Sequence, residues 1–272
     1  MPGATQFTAL PAQMPLHRGG ELRSALIAYE TWGRLSAQRD NAILIVTGMS
    51  PSAHAASSPL DRTPGWWEPM IGAHRSFDTG RYFIICVNSL GSCKGSTGPA
   101  SDHPDDGLPY RLRFPSISIE DIADGAAAVA DSLRIKRLLA VVGPSMGGMT
   151  AQAMALRHPQ LVPNLIVMSC AARSSAFAIA LRSLQRQIVR ADPAYADGNY
   201  AHAIDVASGM GLARKLGVAT YRSPQEWRER FGRERLHQPG ADPFASEFQI
   251  EAYLDAHAKR WAGGFDPLSY LY

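Results

Sequence analysis

The chain has 272 residues, 46% of them hydrophobic and 19% charged, and a formal net charge of +3. That length and composition suit one large core, built as a single elaborated α/β domain or as a domain with a subdomain. Lysines and arginines are scattered without interleaved aromatics, which argues against nucleic acid as a partner, although a local arginine cluster could bind an acidic small molecule. Residues 1–20 lack an apolar stretch behind a basic start, and no apolar run is long enough to span a bilayer, so a cytoplasmic protein with no membrane partner is expected. Cys86, Cys93 and Cys170 have neither Cys-x-x-Cys nor Cys/His spacing. They predict reduced thiols and no metal site.

In chain order, Leu22–Tyr29 reads as an early strand, Ala42–Val46 and Tyr82–Val87 as buried strands, and Leu138–Val142 and Leu165–Met168 as two more. Helical patterns fill Ile119–Leu133 and Met146–Arg157. Strands separated by crossover helices predict a mostly parallel, doubly wound sheet with its chemistry on loops at the carboxyl ends of the strands. After Ala172 the strand pattern stops, and Ala178–Arg190, Gly211–Leu216, Pro224–Phe231 and Glu247–Trp261 read as helices. The expected division is an α/β core over 1–172 and a helical cap over 173–272.

The chemistry concentrates at Gly143-Pro144-Ser145-Met146-Gly147, where an apolar strand run gives way at once to a small-residue helical pattern. Such a strand-to-helix corner is a nucleophile elbow, which presents the Ser145 hydroxyl beside the first amides of the helix. Without a lysine after the glycines, a phosphate-cradling loop is disfavoured. The loop Thr47–His54, after the strand at 42–46, stands where a second oxyanion donor is required, so the candidate donors are the backbone N–H groups of Met49 and Met146. A third loop, Asn88–Pro99, is too polar and glycine-rich for a plain connection and is expected to border the pocket. Cys93 within it has no neighbouring His or acid to activate it.

Taken together, Gly143–Met149, Asn88–Pro99, Asp78-Thr79 before Tyr82–Ile85, Phe114-Pro115 before Ile119–Asp121, and Gly211-Leu212-Ala213-Arg214 with Thr220-Tyr221 resemble the homoserine/serine O-acyltransferase family of the α/β-hydrolase fold. The resemblance runs from about Leu22 to Tyr272. Gly48–His54, Pro64–Glu68 and Asn88–Thr97 are more similar to the serine-acylating branch. The homoserine branch typically reads Leu-Thr/Ser-Gly-x-x-His in the first loop and Leu-Gly-Gly-Cys in the second.

The resemblance implies ping-pong acyl transfer, in which Ser145 takes the acyl group of succinyl-CoA or acetyl-CoA and passes it to the hydroxyl of L-serine, with L-homoserine as the alternative acceptor. Acyl-CoA would be a co-substrate, with no bound cofactor. The resemblance further implies that Arg214 grips the acceptor carboxylate with Tyr221 beside it, and that Met49, Ser50, Pro51 and Ser52 set acceptor specificity. Arg182 and Arg186 share a helix face with Arg190; they are candidate acyl-CoA contacts, weighed against a plain solvated basic face. A homodimer through the helical cap is the expected assembly.

A serine nucleophile needs a general base, and in this fold the acid and histidine follow the serine in the chain. The downstream His158, His202, His237 and His257, with Asp192, Asp197, Asp205, Asp242, Asp255 and Asp266, stand at no predicted strand end, and His158 and His257 read as capping or solvated helix positions. In the family, Phe265–Tyr272 resembles cap sequence, and the strands bearing the triad Asp and His come after it. The expectation is therefore a sheet without its carboxyl-terminal strands, in a truncated or cleaved chain or one completed by a separate carboxyl-terminal polypeptide. An esterase or thioesterase, or an inactive fragment, are the readings of other classes.

Overall fold

A computed structural model describes residues 4–237 and 244–272. The chain divides into two compact units, 1–173 with Tyr272, and 174–271.

The first unit opens with β1 (Gln6–Ala9), β2 (Gln13–Pro15), β3 (Glu21–Arg23), β4 (Leu26–Trp32) and β5 (Ala42–Val46). It continues with β6 (Ile71–Gly72), β7 (Phe77–Asp78), β8 (Phe83–Val87), α1 (Ile119–Ser132), β9 (Ala140–Pro144), α2 (Met146–Arg157) and β10 (Leu165–Met168). Six strands form the main sheet in the order β1-β4-β8-β5-β9-β10. β8, β5, β9 and β10 run parallel, while β4 and β1 are added antiparallel at one side.

All five residues of β5 and of β8 are buried. Leu44, Val46, Ile85, Val87 and Val141 face a core filled from α1 and α2 by Ile122, Ala126, Ala151 and Met154. Ile43, Ile45, Ile84, Cys86 and Val142 face the opposite core, with Trp32, Ala55, Ala56 and Phe77. An apolar residue at every position, alternating between two covered faces, is what a buried parallel sheet demands. α1 starts at a capping box, in which the Asp121 carboxylate accepts from the Ser118 N–H at 2.7 Å.

The strand expected over Leu22–Tyr29 is two strands. The chain turns at Ser24, which adopts a left-handed φ of 53°. β3 then pairs antiparallel with β2 in a separate hairpin, and β4 alone enters the main sheet. β1, β2, β6 and β7 carry too few apolar residues to announce themselves. β10 has β9 as its strand neighbour among the described residues, and its Leu165, Ile166 and Val167 are exposed.

The second unit is helical: α3 (Ala176–Ala191), α4 (Ala207–Ala219), α5 (Pro224–Phe231), α6 (Gln249–Trp261) and α7 (Pro267–Leu271). Val189, Val206, Met210, Ala213, Val218, Phe265 and Leu268 are among its buried residues, with Tyr195 and Tyr200. No helix among the described residues is long and apolar enough to cross a membrane.

Candidate active site

β9 ends at Pro144 and α2 begins at Met146, leaving Ser145 alone at the corner with φ 56° and ψ −124°. A non-glycine residue rarely holds such a backbone unless its surroundings impose it. Here the Ser145 N–H donates to the Met168 carbonyl at 2.9 Å, and its own carbonyl accepts from Gly148 at 2.9 Å. The two motif glycines allow the close approach. A Cβ on Gly143 would lie 2.1 Å from the Gly147 carbonyl oxygen, and one on Gly147 would lie 2.1 Å from that of Val46. The Ser145 side chain is exposed, and as the first helical residue Met146 has an amide that needs no intrahelical acceptor.

The loop after β5 passes beside the nucleophile. A Cβ on Gly48 would stand 3.9 Å from the Ser145 Cβ and 3.5 Å from the Pro144 carbonyl oxygen, so Met49 follows directly on the point of approach. Met49, Ser50, Pro51 and Ser52 are each half-buried. The Asn88 amide donates to the Pro51 carbonyl at 3.0 Å, and the Trp66 indole donates to that of Ser52 at 3.0 Å. Asn88 is itself fixed, accepting from the Ser96 N–H at 3.1 Å. The 88–99 loop, expected at the pocket border, thus reaches the Met49–Ser52 loop through Asn88.

Sequence reasoning overlooked what His54 does at the end of this loop. Its Nδ1 lies 2.9 Å from Glu30 Oε2 and its Nε2 2.8 Å from the Thr63 carbonyl oxygen. Glu30 is buried on β4, and its second oxygen accepts from the Thr5 hydroxyl at 2.7 Å. Burial pushes the His54 pKa down, but the Glu30 carboxylate and the Thr63 carbonyl outweigh it, and the net shift is upward.

The other histidines of the sheet unit are engaged away from Ser145. His17 and His158 both contact Asp124, at 3.1 and 2.9 Å, together with a bidentate Arg157. His103 packs on Tyr110, and His74 is exposed. In the helical unit His202 accompanies Asp205 in a capping box, His237 is exposed, and the His257 ring lies 4.5 Å from that of Tyr253. Burial and nearby arginines lower the His257 pKa. The downstream acids have structural partners: Asp192 accepts from the Gly209 N–H at 2.7 Å, Asp255 pairs with Lys215, and Asp266 hydrogen-bonds Tyr200. Asp197 lies in a turn with a left-handed φ, and Asp242 falls outside the described residues.

Within the helical unit, Arg214 and Tyr221 come together. Arg214 Nη1 donates to the Tyr221 hydroxyl at 3.3 Å, and the guanidinium lies over the Tyr221 and Trp261 rings at 5.7 and 4.8 Å. Its Nε is buried with no hydrogen-bond partner among the described residues. Arg182 donates to Gln185 at 2.5 Å, and Gln185 donates to the Ala213 carbonyl at 2.8 Å. Burial pushes the Tyr270 phenol up to about 12 against the opposing pull of Arg182, Arg214 and Arg186. None of these three arginines forms an ion pair among the described residues. Trp261 could not be singled out beforehand because it closes a helical pattern that looks like ordinary packing, nor Tyr270 because it stands in Phe265–Tyr272, which reads only as cap sequence.

The family description "alpha/beta hydrolase fold" matches residues 41–270. A serine O-succinyltransferase of Xanthomonas axonopodis pv. citri is 55% identical over 274 residues, covering 100% of this chain and 68% of that protein. An L-serine/homoserine O-acetyltransferase of Streptomyces lavendulae is also 55% identical, covering 100% of this chain and 74% of that protein. Among solved structures, a homoserine O-acetyltransferase from Bacillus anthracis superposes with a TM-score of 0.86 at 26% identity, over 98% of this chain and 73% of that one. An esterase superposes with a TM-score of 0.85 at 27% identity, over 98% and 75%. With Ser145 on its strained elbow and relatives of this similarity, the chain belongs to the α/β-hydrolase fold family and, within it, to the amino-acid O-acyltransferases.

Proposed function

We propose that the protein transfers an acyl group from an acyl-CoA thioester to the side-chain hydroxyl of L-serine through an acyl-Ser145 intermediate. The observation that carries this reading is the pairing of a nucleophile elbow at Ser145 with the Gly48 loop passing beside it. Two 55% identical relatives are named for serine acylation, one with a succinyl and one with an acetyl donor.

In the first half-reaction the Ser145 Oγ attacks the thioester carbonyl, and the Met49 and Met146 N–H groups receive the developing oxyanion. The C–S bond breaks, CoA leaves with a proton as the thiol, and Ser145 holds the acyl ester. In the second, the acceptor hydroxyl attacks that ester, Ser145 regains its proton, and O-acylserine departs. Arg214, with Nε unpartnered and no ion pair among the described residues, is suited to the acceptor's carboxylate beside Tyr221. Met49, Ser50, Pro51 and Ser52, braced by Asn88 and Trp66, set how far the acceptor must reach.

In this proposal residues 1–172 are the α/β-hydrolase core and residues 173–272 a helical cap subdomain. The exposed Arg182 and Arg186 contact the anionic parts of the acyl donor. Exposed Phe177, Ile179, Leu184, Ile204 and Leu212 on the helical unit support a homodimer through it. Three thiols, Cys86, Cys93 and Cys170, suit a reducing cytoplasm.

Incubation with L-serine and either succinyl-CoA or acetyl-CoA, with mass detection of products, tests the proposal. O-acylserine formed with stoichiometric CoA release supports it; free acid as the sole acyl product would establish hydrolysis instead. The structural likeness to an esterase makes hydrolysis the second reading.

A further inference from the structure

We infer that His54 is a positioning residue held with a proton on each ring nitrogen, and that its bridge from Glu30 to the Thr63 carbonyl fixes the 48–56 loop beside Ser145. The inference rests on the reading of Met49 as an oxyanion donor.

Hydrogen-bond chemistry supplies the first half. The imidazole faces acceptors at both nitrogens, a carboxylate oxygen 2.9 Å from Nδ1 and a carbonyl oxygen 2.8 Å from Nε2, and the Thr63 hydroxyl 3.3 Å from Nε2 gives its own proton to Asp61 at 2.7 Å. A neutral imidazole carries one N–H and would turn a bare lone pair toward one of them. The Glu30 side chain is 3% exposed, and its other oxygen is taken by the Thr5 hydroxyl, so His54 is the cation that balances a buried carboxylate. Asp61, from the turn packed on the other side, adds a second negative charge 3.9 Å from Nδ1.

The covalent path supplies the second half. His54 lies five residues beyond Met49 in the loop whose Gly48 stands beside Ser145, where an added Cβ would come 3.9 Å from the Ser145 Cβ. Its side chain ties the loop to β4 and to the turn at Thr63, while its carbonyl accepts from the Trp66 N–H at 3.3 Å. The end of the loop is therefore clamped through both main chain and side chain, and a shift there would carry to the oxyanion donor. Deprotonating the ring would cost one of its two hydrogen bonds, so the clamp weakens as pH rises.

Nitrogen NMR of the complete enzyme, with ring-labelled histidine, counts the protons on each nitrogen. At about pH 7.5, well above the ordinary histidine value, two N–H signals are expected for His54, identified by their loss in His54→Gln. A bare nitrogen on that ring under those conditions overturns the inference, and if the variant fails to fold, correlation to the His54 backbone identifies the ring in the wild type. Kinetically, His54→Gln keeps one donor end, so kcat for CoA release should fall about tenfold while KM for the acyl donor stays within about twofold. An unchanged kcat would overturn the positioning role. Glu30→Gln should move the alkaline loss of activity to lower pH, and an unmoved profile counts against the bridge. The oxyanion reading fails separately: Met49→Pro deletes the proposed donor, and full activity in that variant would remove Met49 from the site while leaving the His54 proton count untouched.

Discussion

Gly147 lies against the Val46 carbonyl so closely that a Cβ on the glycine would stand 2.1 Å from that oxygen and 2.7 Å from the Thr47 oxygen. Both obstacles are backbone, at the end of a fully buried strand, and neither can swing aside. Gly147→Ala must therefore push α2 away from β5 and displace Ser145 with it. A loss of about 3 kcal/mol or more of unfolding free energy is expected, at the upper end of overpacking costs, together with loss of activity. Urea denaturation checks this, and a midpoint equal to the wild type's would show that the elbow has room to spare.

Ser145 holds a φ of 56° that its side chain disfavours and a glycine would not. Ser145→Gly should raise stability by about 1 kcal/mol through released strain, while abolishing acyl-enzyme formation. Ser145→Ala should abolish it too, lowering kcat/KM by about 10⁴-fold or more, without the gain in stability. Intact-mass spectrometry after exposure to acyl-CoA reads the first effect, and thermal melting the second.

Arg214 combines stacking on Trp261 with a hydrogen bond to Tyr221, and only a planar, many-donor cation can do both while gripping a carboxylate. Arg214→Ala should reduce kcat/KM for the amino acid by about 10- to 100-fold, with the CoA-releasing half-reaction largely retained. Arg214→Lys should recover little. A defect confined to acylation would instead assign Arg214 to the acyl donor.

The acceptor preference is expected to be graded. Serine and homoserine differ by one methylene, a difference worth roughly 1–3 kcal/mol in a pocket. A serine preference of about 10- to 200-fold in kcat/KM, with residual homoserine turnover, is the predicted outcome. Competition between the two acceptors at equal concentration measures it, and a homoserine preference would refute the serine assignment.

Two groups near the loop should respond to pH in opposite directions. Glu68 accepts from the Ser57 and Gly65 N–H groups and the Ser57 hydroxyl, with Arg75 nearby, and its pKa falls to about 2. A depressed carboxylate contributes stability above its ordinary range, and the contribution disappears as pH falls toward about 2. For His54 the folded-state value is raised. Its contribution is complete below the ordinary histidine value and is lost as pH rises through the raised one. Denaturation across pH should show Glu68→Gln losing part of the acid-side slope and His54→Gln part of the alkaline-side slope. Superimposable profiles would deny both assignments.

Local signals in the sequence by itself determined the parallel sheet strands, the two helices behind them and the elbow at Ser145. An apolar run, two glycines at fixed spacing and a helical pattern all act within a few residues, where sterics and periodicity decide conformation. The loop at Met49–Ser52 was equally legible, because it had to follow a buried strand. Tertiary structure alone decided the break at Ser24, the exposure of β10, and the partners that hold the site. Glu30 meets His54 because β4 runs antiparallel beside β8, with Glu30 opposite Cys86, and not because of any spacing along the chain. Asn88 reaches Pro51, and Trp261 reaches Arg214, for the same kind of reason. Contacts between distant segments depend on strand order, register and helix packing, and these are set by burial of the whole core, on which no short stretch of sequence carries the information.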